Sequence, residues 1–122
     1  MGGVTLRSAI PVLRVSDYPK ARAFWCEALG FESVEEAGEP VTGFGILRRD
    51  HAQVFLTSWD GPEAQYDGWR AYFHTDALDE LADHLRAQGC AFRGPMQTNY
   101  AMREIHVSDP DGNVVCFGQD SA

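Results

Sequence analysis

The sequence predicts an α+β fold of two βαβββ modules, each a curved sheet with one helix, that together form a cleft. Three observations lead there. A unit of strand, helix cap, amphipathic helix and glycine occurs twice, and in both copies cap and glycine lie 13 residues apart, Asp17 to Gly30 and Asp76 to Gly89. Each copy leads into a hairpin pattern whose turn carries an aspartate, Asp50 in the first and Asp111 in the second. A polar stretch with Gly61, Pro62 and Gly68 separates the copies, so two halves of about 60 residues are the economical reading.

Residues 9–15 are rich in Val, Ile and Leu and read as a strand. Pro11 cannot donate to a ladder, which places this strand at an edge or makes its start irregular. Ser16 or Asp17 caps a helix running to about Leu29, with apolar positions at Ala21, Phe24, Trp25, Ala28 and Leu29. Gly30 supplies the left-handed residue that ends it. Strands follow at 31–36, 43–48 and 53–58, the last two joined by a tight turn at Arg49-Asp50-His51. The stretch 59–68 is a linker. Beyond it, 69–75 is a strand, and Asp76 caps a helix whose apolar face is Leu78, Leu81, Ala82 and Leu85. Residues 103–107 and 113–118 form a hairpin around a turn in which Gly112 takes positive φ. The expected organisation is a single domain over 1–122, with module one at about 8–58 and module two at about 69–119.

The formal charge is −8, from 10 Lys plus Arg against 18 Asp plus Glu. Such a surface repels a phosphate backbone, and no basic cluster offsets it, so a nucleic-acid partner is not expected. The same field attracts cationic small molecules. No apolar run approaches the roughly 20 residues of a membrane span, and Met1–Arg7 lacks the basic and apolar segments of a signal peptide. Cys26, Cys90 and Cys116 cannot all pair and show no metal-type spacing. They read as reduced thiols, and the expected location is cytoplasmic.

Ile10-Pro11-Val12-Leu13-Arg14-Val15-Ser16-Asp17, then Phe24-Trp25-Cys26-Glu27-Ala28-Leu29-Gly30-Phe31, and the closing Asp109-Pro110-Asp111-Gly112-Asn113 together resemble the vicinal oxygen chelate superfamily. That superfamily contains glyoxalase I, extradiol dioxygenases, fosfomycin resistance enzymes and the bleomycin resistance proteins. The resemblance covers about residues 8–119. Each motif alone is weak; their joint order and spacing carry the assignment. Members that are metalloenzymes have four ligands, and the corresponding positions here are Ile10, Phe55, Arg70 and Cys116. Phe55 and Cys116 lie 61 apart, as do Asp50 and Asp111. Ile and Phe cannot ligate, Arg stays charged, and one thiolate makes no site. No metal and no other cofactor is expected. A His74–His106–Glu104 set can be written, but a satisfied interior or cleft histidine is the blander reading. His106 can face either way.

Among non-metal members the bleomycin resistance proteins are most similar, through Ile10–Leu13, Phe24-Trp25, Leu29–Phe31, Phe44, Phe55, Arg103-Glu104 and the closing turn. The resemblance implies a homodimer with its N-terminal arm exchanged at Pro11, grooves between subunits, and Phe44 as a stacking surface for a flat ligand. Tyr72 falls where the family carries an aromatic. The family's Trp-Gly before Arg-Glu is Ala101-Met102 here, so one stacking face is missing unless Tyr100 or Met102 replaces it. The expected ligand-binding residues are Phe44, Phe55, Arg70, Tyr72, His74, Tyr100, Met102, Arg103 and Cys116. His74 shares a strand face with Arg70 and Tyr72 if the strand alternates regularly. Arg70 takes either a carboxylate such as Glu104 or a ligand as its partner. Trp59, Tyr66 and Trp69 flank the linker and are candidates for a groove. Catalysis without metal has only Cys116 with His74 or His106 to draw on, against a plain buried thiol. Sequestration of a bleomycin-like or other planar molecule is therefore the expected function, with an atypical glyoxalase-like lyase, isomerase or dioxygenase relative as the alternative.

Overall fold

The computed structural model describes residues 2–38, 43–61 and 68–121. The linker expected at 59–68 is thus seen only at its ends, and Tyr66 lies outside the described residues. Module one runs β1 (Val12–Arg14), α1 (Tyr18–Ala23), a π turn (Phe24–Ala28), β2 (Glu32–Ala37), β3 (Phe44–Arg49) and β4 (Ala52–Thr57). Module two runs β5 (Trp69–His74), α2 (Leu78–Ala87), β6 (Phe92–Gln97), β7 (Met102–Ser108) and β8 (Val114–Asp120). The two sheets have the same order, β1-β4-β3-β2 and β5-β8-β7-β6. In each, the first strand pairs parallel to the last and every other pairing is antiparallel. The register repeats as well: Val12 stands opposite Phe55, and Tyr72 opposite Cys116. Pro11 precedes an edge strand, where its missing N–H is not needed.

The two helices begin differently. Asp17 caps α1 by accepting from the Lys20 amide at 3.1 Å. Asp76 does not cap α2, contrary to the sequence expectation. Ala77 holds the cap position, and the Leu78 amide donates instead to Oε1 of Gln119 at 3.0 Å. A side chain from β8 thus does the capping, and a local pattern cannot show it. The first helix also departs from a regular α-helix. The Leu29 amide reaches back five residues to the Phe24 carbonyl, and this wider turn lets Trp25, Ala28 and Leu29 all bury. Gly30 ends it at φ +71. The Arg49 guanidinium donates to the Leu29 carbonyl at 2.8 Å and fills the space a Cβ of residue 30 would need.

The modules meet through their helix-bearing faces. Trp25, fully buried, packs edge-on against Phe31 of its own module (4.9 Å between ring centroids) and Phe73 of the other (6.3 Å). Leu13, Leu47 and Leu56 join Leu78, Leu85 and Ile105 in one contiguous core. The closing turn makes a second link. Buried Asp109 accepts from the amides of Asp111 and Asn113 and from the Asn113 side chain, which also donates to the Arg14 carbonyl at 3.1 Å. Asp111 in turn accepts from the Ser16 amide. The Asp-Pro-Asp-Gly-Asn motif is a clasp between the end of β1 and module two.

Tyr18 gives this core a pH limit. Its ring lies over Gly45, where any Cβ would collide with the phenol, and its hydroxyl donates to Glu36 at 2.7 Å. Burial, and then that bond to a carboxylate, raise its pKa above the ordinary tyrosine value. The folded state therefore holds the phenolic proton more tightly than the unfolded chain does. This contribution to stability is complete below about pH 10 and is lost as pH rises beyond it. We expect the thermal midpoint to fall between about pH 9.5 and 11.5, and to fall less steeply in Tyr18→Phe. Parallel slopes in scanning calorimetry would show that Tyr18 does not supply the dependence.

Candidate functional site

With the helix-bearing faces used to join the modules, each sheet presents its opposite face as an open surface. Alternation along the strands decides what stands on it. In module one these residues include Val12, Ile46 and Phe55, which meet across strands. Phe44 packs against Phe55 at 5.5 Å, and Trp59 stacks on Phe44 at 5.6 Å with 20° between planes. This surface is apolar and largely aromatic.

In module two, Ile105 and Val107 of β7 enter the core, which turns Met102, Glu104 and His106 to the open side. Opposite them on β8 stand Gly118, facing Glu104, and Cys116, facing His106. Tyr72 and His74 complete the surface from β5, their rings 5.2 Å apart. The regular alternation that would group Arg70 with them is interrupted, because the register with β8 shifts between Trp69 and Ala71. The shift brings Trp69 onto the open side, 5.0 Å from Tyr72 and 6.0 Å from His106. Arg70 is half-buried beside it.

Glu104 is the hub of this surface and is 1% exposed. Its Oε2 accepts from the hydroxyls of Tyr72 (2.9 Å) and Tyr100 (2.7 Å). Arg93 donates to Nδ1 of His106 at 3.2 Å, which leaves the ring proton on Nε2 to donate to Oε1 of Glu104 at 3.3 Å. Burial alone would raise the Glu104 pKa, but the three donors outweigh it and hold the carboxyl below its usual value. The tyrosines answer in the opposite direction. The bond to Glu104, then burial, push Tyr100 up to about 12, and burial followed by the same carboxylate raises Tyr72. Both phenols stay protonated and donate to the carboxylate. Cys116 is fully buried, and desolvation, reinforced by Glu104, pushes its thiol up to about 12. A thiol held protonated in this way is a poor nucleophile.

Of the residues expected in the site, the structure brings Phe44 and Phe55 together on one surface and Tyr72, His74, Tyr100, Met102 and Cys116 on the other. Arg103 points the opposite way, toward α2, where it donates to both carboxylate oxygens of Asp79. The sequence offers Glu104 as a partner for Arg70 or a ligand for a metal, and period-two alternation with Met102 and His106 puts it on the same face. Trp59 and Trp69, the linker flanks that the sequence offers for a groove, stand on the two surfaces.

The family model described as glyoxalase/bleomycin resistance protein/dioxygenase superfamily matches residues 7–117. No curated protein matches the sequence. Among solved structures, the antibiotic binding protein TnmS3 from Streptomyces sp. CB03234 is similar at 27% identity over 97% of this chain and 100% of that one, with a TM-score of 0.77. A glyoxalase/bleomycin resistance protein from the same organism shares 28% identity over 88% of this chain and 96% of that one, with a TM-score of 0.73. A bleomycin-binding protein complexed with bleomycin has the same fold, with a TM-score of 0.79 at 21% identity over 94% of this chain and 99% of that one.

Two substitutions test the geometry. A Cβ at Gly118 would collide with the Tyr72 phenol, so Gly118→Ala should cost about 1–3 kcal/mol and little in a Tyr72→Ala background. Additive costs in urea denaturation would mean that the phenol is not pinned there. Ala101 adopts φ +60, a left-handed conformation that favours glycine. Ala101→Gly should therefore stabilise the fold, by on the order of 1 kcal/mol; a lower urea midpoint would contradict this.

Proposed function

The chain belongs to the glyoxalase/bleomycin resistance protein/dioxygenase superfamily, and from that premise we propose that it sequesters a planar, bleomycin-like drug or toxic metabolite without changing it. The observation that carries this reading is the division of labour between the two open surfaces. One offers stacked aromatic rings, and the other a rim of phenol oxygens around an ionised carboxylate. Stacking surfaces and a polar rim are what retention of a flat, polar molecule needs. The 27% identity to an antibiotic binding protein supports it, as does the charge of −8, which attracts cationic molecules.

The four positions that hold metal in metal-dependent members do not fit one here. Ile10 and Phe55 offer no donor, the Phe55 ring is packed against Phe44, and Arg70 is cationic. No step of this function runs through such an ion.

A groove that combines the two kinds of surface draws on two chains, because within one chain the helix-bearing faces are what meet. The functional unit in this reading is a homodimer exchanging its N-terminal arms at Pro11. Leu6 in that arm is 86% exposed and Val4 is 56% exposed, so both are available to a partner. The left-handed Ala101 also bears on the missing tryptophan. A glycine-type conformation at 101 matches the family's Trp-Gly to Tyr100-Ala101, with Met102 as the extra residue. Tyr100 then supplies the second stacking ring. The protein acts in the cytosol, where its three thiols stay reduced.

The test is calorimetric titration of the metal-free protein with bleomycin, followed by the mass of the recovered drug. Expected are one drug per chain, an unchanged mass, and about tenfold weaker binding in Phe44→Ala and in Tyr100→Ala, since each loses one aromatic stack. An altered mass would overturn sequestration. No heat at micromolar protein would remove bleomycin itself and direct the titration to other planar metabolites.

A further inference from the structure

The polar surface of module two brings together three chemically different donors. A carboxylate oxygen of Glu104, a ring nitrogen of His106 and the sulfur of Cys116 all lie within 4.8 Å of one another. We propose that these three side chains bind a divalent transition-metal ion of the zinc class. The site is separate from the four positions at Ile10, Phe55, Arg70 and Cys116: it shares only the cysteine, lies within one module, and does not depend on the ligand reading above.

Geometry and donor chemistry both support it. His106 and Cys116 are directly opposed across β7 and β8, and Glu104 is two residues from His106 on the same face. Zinc bonds of about 2.0–2.2 Å to nitrogen and oxygen, set at the tetrahedral angle, place those two atoms about 3.3–3.5 Å apart. Nε2 of His106 and Oε1 of Glu104 are 3.3 Å apart. The same construction puts sulfur about 3.6 Å from each, inside the 4.8 Å that bounds the three donor atoms. One thiolate, one imidazole and one carboxylate suit zinc or cobalt and would serve calcium or magnesium poorly. Tyr72 and Tyr100 hold Oε2 and so present Oε1 alone, the kind of outer support that fixes a ligating carboxylate. Three protein donors leave a fourth position for water or a ligand atom.

Binding rearranges two protons. The Cys116 thiol proton goes to solvent as the sulfur becomes a thiolate ligand. The His106 proton moves from Nε2 to Nδ1, and Arg93, which now donates to Nδ1, must swing away. Arg93 is exposed and free of the core, so this is a side-chain motion, but it opposes binding. The proposal therefore predicts a gain as well as losses.

The experiment is titration of the chelator-treated full chain with cobalt(II), read by absorption, then competition with zinc. Expected is one cobalt per chain with tetrahedral visible bands and a near-ultraviolet thiolate charge-transfer band. Cys116→Ser should abolish that band, and His106→Ala should weaken binding at least tenfold. Arg93→Ala should tighten it several-fold. Cys26→Ser and Cys90→Ser should change nothing. Absence of stoichiometric cobalt and zinc at micromolar protein, in the native chain and in the Arg93→Ala chain, would overturn the proposal. So would a charge-transfer band that survives Cys116→Ser. Neither result would touch the bleomycin titration, which uses metal-free protein.

Discussion

The contact of Trp25 with Phe73 is the constraint from which the rest of the arrangement follows. Each module has one sheet and one helix, and each sheet has two faces. By inserting the indole of module one beside the phenyl ring of module two, the chain commits its helix-bearing faces to each other. Burying a side chain of this size is worth several kcal/mol, enough to decide which faces meet. Both opposite faces are thereby left out of the shared core. The π turn serves the same end, since the wider spacing aims Trp25, Ala28 and Leu29 into the shared core together. Had the modules met through their open faces instead, Phe44 and Glu104 would have become core residues.

Repetition was the most legible property of the sequence. The matched spacing from Asp17 to Gly30 and from Asp76 to Gly89 foretold two modules, and the structure repeats even the strand register. The limits of that legibility are physical. Asp76 looks like Asp17 in sequence, yet α2 takes its cap from Gln119, 41 residues from Leu78. Cap propensity is local, whereas a competing donor or acceptor brought in by the fold is not. Arg70 was placed by regular alternation, and a register shift beside it removed the basis for that placement. Arg103 was carried into the site by a motif, while alternation from Ile105 alone would have sent it to the helix side and Asp79. Glu104 was the reverse: alternation put it on the open face, but its importance came from Tyr72 and Tyr100, which reach it from β5 and from the turn before β7.

The two open surfaces share a backbone plan and differ in chemistry. Strand pairing makes Phe55 correspond to Cys116 and Ile46 to His106, since each pair stands opposed in its own sheet. Phe44, paired with Thr57, corresponds to Glu104, paired with Gly118. Three apolar positions in one module are thus an acid, an imidazole and a thiol in the other. The same scaffold holds a stacking surface and a polar surface, so the difference lies in side chains alone.

Fold stability does not require that difference. A buried carboxylate costs several kcal/mol of desolvation, which good partners offset without clear surplus, and an apolar group of similar shape in its place is often neutral or stabilising. Module one shows that the plan accommodates the apolar choice. Glu104 nevertheless keeps its charge, held by two phenols and an imidazole, and Gly118 lacks a side chain where one would displace Tyr72. Small size at 118, a phenol at 72 and a carboxylate at 104 form one steric and electrostatic unit. Its outward result is a pair of oriented hydroxyl oxygens beside a fixed negative charge. Fold stability alone does not account for that surface.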